Sequence, residues 1–207
     1  MKLYHRLKKY QYERYPLRFL TFTTLSSVLA SAAVTNNVAS FPEIALLLVA
    51  SLLMLFHIRV VDEIRDTAFD NKNYPNRALQ SGVIKIKELV IIDIAGMTMV
   101  FVLATAYGYQ AILWVLTFTV FTLFARYDFF IPKLFHQRPI LYHLANAPQI
   151  ILLQLFMYAV FTQCMDISIA MWLQLALAFV NIFILEVIRK IKPVEKDPNL
   201  YSTVLGF

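Results

Sequence analysis

Six stretches of this chain are long and apolar enough to be read as membrane-crossing helices: residues 17–34, 43–61, 89–107, 111–125, 140–161 and 167–185. About 20 apolar residues in helical conformation span the hydrocarbon core of a bilayer. Inside that core every backbone N–H and C=O must be satisfied within the segment, which leaves few folds open. The pattern predicts an all-α, polytopic transmembrane helix bundle. It forms a single membrane domain over 1–207, because no repeat, low-complexity tract or soluble domain interrupts it. With 59% of residues hydrophobic and 15% charged, the chain has too little polar surface for a water-soluble fold. The N-terminus imitates a secretory signal, but its basic stretch is long for one, and the first apolar run is read as a retained helix.

The net charge of +6 looks like a nucleic-acid signature until its placement is followed. Of the 19 lysines and arginines, 17 lie before the first span, between the second and third, between the fourth and fifth, or after the sixth, and the other two, Arg18 and Arg59, sit at the basic-side ends of the first and second spans. The connections around 35–42, 108–110 and 162–166 hold none. Positive charge collects on the cytoplasmic side of membrane proteins, so both termini and the two long loops are expected there. No nucleic-acid partner is needed. The four glycines are far apart and form no phosphate loop. The lone cysteine excludes a disulfide framework, and the four histidines form no zinc-type pair.

The most informative segment runs from His57 to Asp70 and on to Gly82. Asp62, Asp66 and Asp70 recur at i, i+4 and i+8. On a helix prolonging the second span they project from nearly one face, about 6 Å apart along the axis. Like charges at that spacing repel. A divalent cation relieves the repulsion, and Mg²⁺ prefers a few carboxylate oxygens together with phosphate oxygens. The competing reading is a solvated helix end in which Arg59 and Arg65 neutralise the acids. Asp93 lies within the third span about one turn from its cytoplasmic end, where a hydrated position competes with a functional one.

The ladder, with the loop Asn76-Arg77-Ala78-Leu79-Gln80-Ser81-Gly82 after it, resembles the first aspartate-rich motif of the UbiA-type intramembrane prenyltransferases. Alanine stands where that family has proline, and Asp62 where asparagine is commoner. The stretch Tyr127 to Lys133 is similar to a tyrosine- or lysine-bearing stretch in the same family. The resemblance implies Mg²⁺-dependent transfer of an isoprenoid chain from an allylic prenyl diphosphate to a lipophilic or aromatic acceptor in the bilayer. The catalytic, metal-holding residues would be Asp62, Asp66 and Asp70. Arg77, Lys72, Lys133 and Arg138 would meet the diphosphate. The expected location is the cell (inner) membrane, multi-pass, with the site facing the cytoplasm. A transporter or a non-catalytic scaffold that keeps the same bundle is the alternative.

Members of that family carry further spans and a second aspartate-rich motif after the sixth. Here that place holds Glu186-Val-Ile-Arg189-Lys190 and then Pro193, Glu195 and Asp197. Glu186 is a secondary metal-ligand candidate, since a carboxylate at a helix C-terminus opposes the helix dipole and calls for a cationic partner. A basic flank following the last span fits the same residues. The 207-residue chain is therefore expected to insert with six spans and to show little transferase activity by itself.

Overall fold

A computed structural model describes residues 3–137, 139–163 and 166–190. Among the described residues ten α-helices follow one another: α1 (Leu3–Arg14), α2 (Leu17–Val34), α3 (Phe41–Arg65), α4 (Thr67–Asn73), α5 (Ile86–Ala106), α6 (Tyr109–Arg126), α7 (Pro132–Gln137), α8 (Pro139–Asn146), α9 (Pro148–Thr162) and α10 (Ile169–Lys190). There is no strand among the described residues. Five segments are long and apolar enough to cross a membrane: α2, α3, α5, α6 and the run Ile140–Thr162 through α8 and α9. The sixth expected span falls on α10, whose apolar part, Ile169–Ile184, is shorter than these.

Local chemistry sets the boundaries. Pro16 sits at the N-cap of α2, where its missing N–H costs nothing. The exit from α2 passes through Asn36, a left-handed residue (φ 52°) of the type that tolerates this conformation. Ser40 opens α3, its N–H and hydroxyl both donating to Glu43 at 2.7 Å. α3 runs four residues beyond the expected end at residue 61. Its polar last turns are braced by Arg59–Glu63 at 2.7 Å and Asp62–Arg65 at 2.9 Å, an i,i+4 and an i,i+3 pair.

The main core gathers Val28, Met54, Val100, Val115 and Phe118 around α9, where every residue from Leu152 to Phe161 is buried. A helix apolar on all sides belongs at the centre of a bundle. Its few polar groups bind neighbouring helices: Ser27 donates to Gln154 at 2.6 Å, Gln154 donates to Ser31, and Tyr158 donates to Gln174 on α10 at 2.9 Å. Many side chains facing outward are apolar, among them Ile91, Ile94, Val102 and Leu173, each more than 60% exposed. Such apolar outer faces are compatible with an integral membrane protein in contact with lipid.

A smaller core lies at one end of the bundle, where Tyr10, Tyr15, Val60, Ala78, Ile84 and Leu89 pack together. It fastens α1 and the 74–85 loop across the end of α3. The loop closes on itself through Ser81 N–H to Arg77 C=O (2.8 Å) and Ile84 N–H to Ala78 C=O (3.1 Å), with Gly82 at φ 73° making the turn. After α6 the chain makes a left-handed turn through Asp128, Phe129 and Phe130 (φ 49°, 51° and 61°). L-residues adopt this conformation only under tertiary constraint. The constraint here is aromatic: Phe129 packs edge-on against Phe121 and Phe135, and Phe130 stacks on Tyr127.

Candidate functional site

The ladder lies where α3 gives way to α4. Hydrogen bonding stays helical across the junction, Asp66 N–H to Asp62 C=O and Asp70 N–H to Asp66 C=O, both 2.8 Å. However, Asp66 itself leaves helical geometry (φ −87°, ψ 4°), and the three carboxylates meet different surroundings. The Asp62 and Asp66 side chains are 26% and 39% exposed, that of Asp70 only 5%. Instead of one open acidic face there is a set of acid–arginine pairs, with Arg59 and Arg65 on the acids as in the competing reading.

Each carboxylate has its guanidinium. Asp62 meets Arg65 at 2.9 Å and Arg59 at 3.9 Å. Asp66 takes Arg65 through both oxygens, at 2.9 and 3.1 Å. Asp70 holds Arg77 on one oxygen (2.9 Å) and Arg14 of α1 on the other (3.0 Å). Between them lies Glu63, 1% exposed, whose Oε1 accepts from Arg14 (2.7 Å), Arg59 (2.7 Å) and the Tyr10 hydroxyl (3.4 Å). Burial holds the Asp70 carboxyl above the usual range, Arg77 opposes that rise, and the Glu63 charge adds to it. Burial, and then Glu63, push the Tyr10 phenol well above the ordinary tyrosine range.

Further contacts tie this layer down. Glu13 on α1 accepts the Ala78 N–H at 2.7 Å, and Arg6 forks onto Glu88 at 2.6 and 3.0 Å. Arg77 lies 3.5 Å over the Tyr74 ring and Arg65 5.3 Å over that of Tyr142. So α8 reaches the ladder through Tyr142. Lys72 and Lys133 are exposed. Arg138 lies outside the described residues, and so does the Glu186 side chain, although its backbone belongs to α10.

Among the described residues no three Asp, Glu, His or Cys side chains converge as a metal-holding group. Both Asp70 oxygens and both Asp66 oxygens carry arginine N–H groups. The donor set in this arrangement therefore does not fit an ion held by the ladder alone. Its guanidinium forks are of the kind that hold a phosphate or diphosphate, but in this arrangement each faces a carboxylate.

Sequence reasoning missed Arg14, Tyr10 and Glu63. Arg14 counted only as cytoplasmic-side charge, and Glu63 fell between the ladder positions. It missed a second polar site as well. Inside the bundle, His57 of α3 lies with Nδ1 2.9 Å from Asp93 Oδ2 of α5 and Nε2 2.9 Å from Thr122 Oγ1 of α6. Asp93, about as readily hydrated as functional by sequence, is buried and paired. The signal available was two ionisable residues, His57 and Asp93, each inside an apolar run. Comparison with protein-family models, with curated proteins and with solved structures finds no match to this chain.

Proposed function

We propose that this chain is an intramembrane prenyltransferase, moving an isoprenoid chain from an allylic prenyl diphosphate to a lipophilic or aromatic acceptor. In this reading it crosses the cell (inner) membrane six times, with both termini and the acid–arginine layer facing the cytoplasm. The observation that carries it is the closure of the 74–85 loop, which sets Arg77 on Asp70 at 2.9 Å and joins the loop arginine to the ladder. Arg77 and Arg14, both held by Asp70, would exchange that carboxylate for diphosphate oxygens and stabilise the charge on the leaving group. Lys72 and Lys133 would add cationic charge from the exposed side. The apolar bundle would keep water from the allylic cation.

A second reading has its own support. Four carboxylates matched by four guanidiniums also describe a structural clamp in a non-catalytic membrane scaffold. One experiment separates the two: the full chain in lipid, labelled prenyl diphosphates of several lengths, Mg²⁺ supplied or withheld, and diphosphate and prenylated lipid as products. Mg²⁺-dependent release from the parent and its loss in Arg77→Lys support the enzyme, because lysine keeps the charge but not the fork. Since little turnover is expected of the chain by itself, the clamp is supported when the parent shows neither release nor binding of the labelled prenyl diphosphate and α1 detaches in Arg14→Ala.

A further inference from the structure

The His57–Asp93–Thr122 chain joins three helices in the bundle interior. His57 and Asp93 are 8% and 7% exposed and Thr122 is fully buried. The close approach has a cause in the sequence. Gly96 lies one turn after Asp93 on α5, where a Cβ would stand 2.9 Å from the Leu53 side chain, itself one turn before His57 on α3. A small residue at this crossing lets the two helices come near enough for the polar groups to meet.

The distances restrict where protons can be. Thr122 has one hydroxyl proton and lies 2.8 Å from the Thr119 carbonyl as well as 2.9 Å from His57 Nε2. If that proton goes to the carbonyl, Thr122 meets Nε2 only as an acceptor, and Nε2 carries a proton. The 2.9 Å contact between Nδ1 and Asp93 Oδ2 then needs a second proton, on the ring or on the carboxyl, because two bare lone pairs would repel there. The rival arrangement turns the Thr122 hydroxyl onto Nε2 and leaves one proton on the pair, hence a net negative charge. Asp93 Oδ1 is buried with no hydrogen-bond partner among the described residues, so nothing there relieves such a charge.

Among the described residues no neighbouring element supplies a compensating cation. α9 has no charged residue, and the charges of α2 and α6 are the exposed Arg18 and the half-buried Arg126 at their ends. On α5, Lys87 is exposed and Glu88 is held by Arg6. On α3, Arg59 is taken by Glu63 and Asp62, Arg65 by Asp62 and Asp66, and Glu43 by Ser40 at the opposite end.

We infer that His57 and Asp93 form an intramembrane proton-binding site, whose ligand is one exchangeable proton shared by imidazole and carboxyl in an electrically neutral pair. Giving up that proton leaves a negative charge in an apolar layer. The site therefore releases it only as another cation takes its place.

The test places the full chain, labelled with ¹⁵N-histidine, in lipid nanodiscs at neutral pH. His57→Gln identifies the His57 signals against those of His5, His136 and His143. The expected result is a protonated Nε2, with the second proton found either on Nδ1 or as a carboxylic-acid band missing from the infrared spectrum of Asp93→Asn. A bare Nε2 beside an ionised Asp93 overturns the proposal. If Asp93→Asn fails to fold, the ring measurement on the parent decides alone. Neither outcome depends on whether the chain turns over a prenyl diphosphate.

Discussion

At the end of α3, four carboxylates face four guanidiniums drawn from α1, α3 and the following loop. About a turn and a half deeper along the same helix, His57 and Asp93 face each other with no arginine or lysine in ion-pair range among the described residues. The outer layer tolerates full charges because each has a partner and water is near. The inner one reaches neutrality with a proton, since the bilayer offers no counter-ion. Removing a partner should therefore injure the outer layer by stranding charge, and the inner layer by stranding a polar group.

The largest effect should come from Glu63. Its carboxylate is fully buried and shared by Arg14 and Arg59, so Glu63→Ala takes away their common buried partner, leaving Arg14 on Asp70 alone and Arg59 at 3.9 Å from Asp62. Breaking a buried ion pair from one side costs about 3–5 kcal/mol. Thermal unfolding in detergent should show a loss of that order, with α1 becoming sensitive to protease. A loss below about 1 kcal/mol, the size expected of an exposed pair, would mean that the outer layer is more hydrated than its geometry implies.

A smaller cost should follow Asp93→Ala, which leaves His57 Nδ1 without its partner at 2.9 Å. An unsatisfied buried polar group costs about 1–3 kcal/mol. Asp93→Asn should recover part of this, because the amide keeps a hydrogen bond to the ring. Equal damage from the alanine and asparagine variants would show that charge, not hydrogen bonding, holds the inner layer.

Five of the six expected spans were legible in the sequence as long apolar helices, while the contacts between them stayed hidden. Residues 17–34 coincide with α2 because Pro16 and Asn36 punctuate the chain at both ends. α3 outruns the apolar run, as a ladder on a helix prolonging the second span requires, because Arg59, Asp62, Glu63 and Arg65 pair along it. Spacing placed Arg77 in the loop after the ladder, but not Arg14, which reaches Asp70 across 56 residues of sequence. Residues 57, 93 and 122 sit on three separate helices. Each helix reads as simply apolar, and nothing in its periodicity states which polar residues will meet.

Alkaline pH should loosen the outer layer by a further, smaller amount. Tyr10 titrates above its usual range because it is buried and lies beside Glu63. Its contribution is complete below about pH 10, where the unfolded phenol is still protonated, and is lost as pH rises towards the folded value. The parent should therefore lose stability between pH 9 and 11 more steeply than Tyr10→Phe, as followed by thermal unfolding. Matching slopes would place Tyr10 in contact with water.

The smallest effect on stability should be that of Asp66→Asn, and this makes it the sharpest probe of function. Asp66 is the most exposed acid of the ladder at 39%, and its ion-pair partner among the described residues is Arg65. Exposed pairs contribute about 0–1 kcal/mol, and Arg65 keeps Asp62 at 2.9 Å as a second partner. Unfolding and membrane insertion should thus match the parent within that margin. If the ladder takes part in prenyl transfer, diphosphate release should fall at least tenfold in a protein that is otherwise intact. Asp70→Asn could not separate the two effects, because Asp70 also anchors Arg14 and Arg77. Unchanged turnover in Asp66→Asn, from a parent that is active, would leave the outer layer as a clamp for α1 and the loop and move the search for reacting groups elsewhere in the bundle.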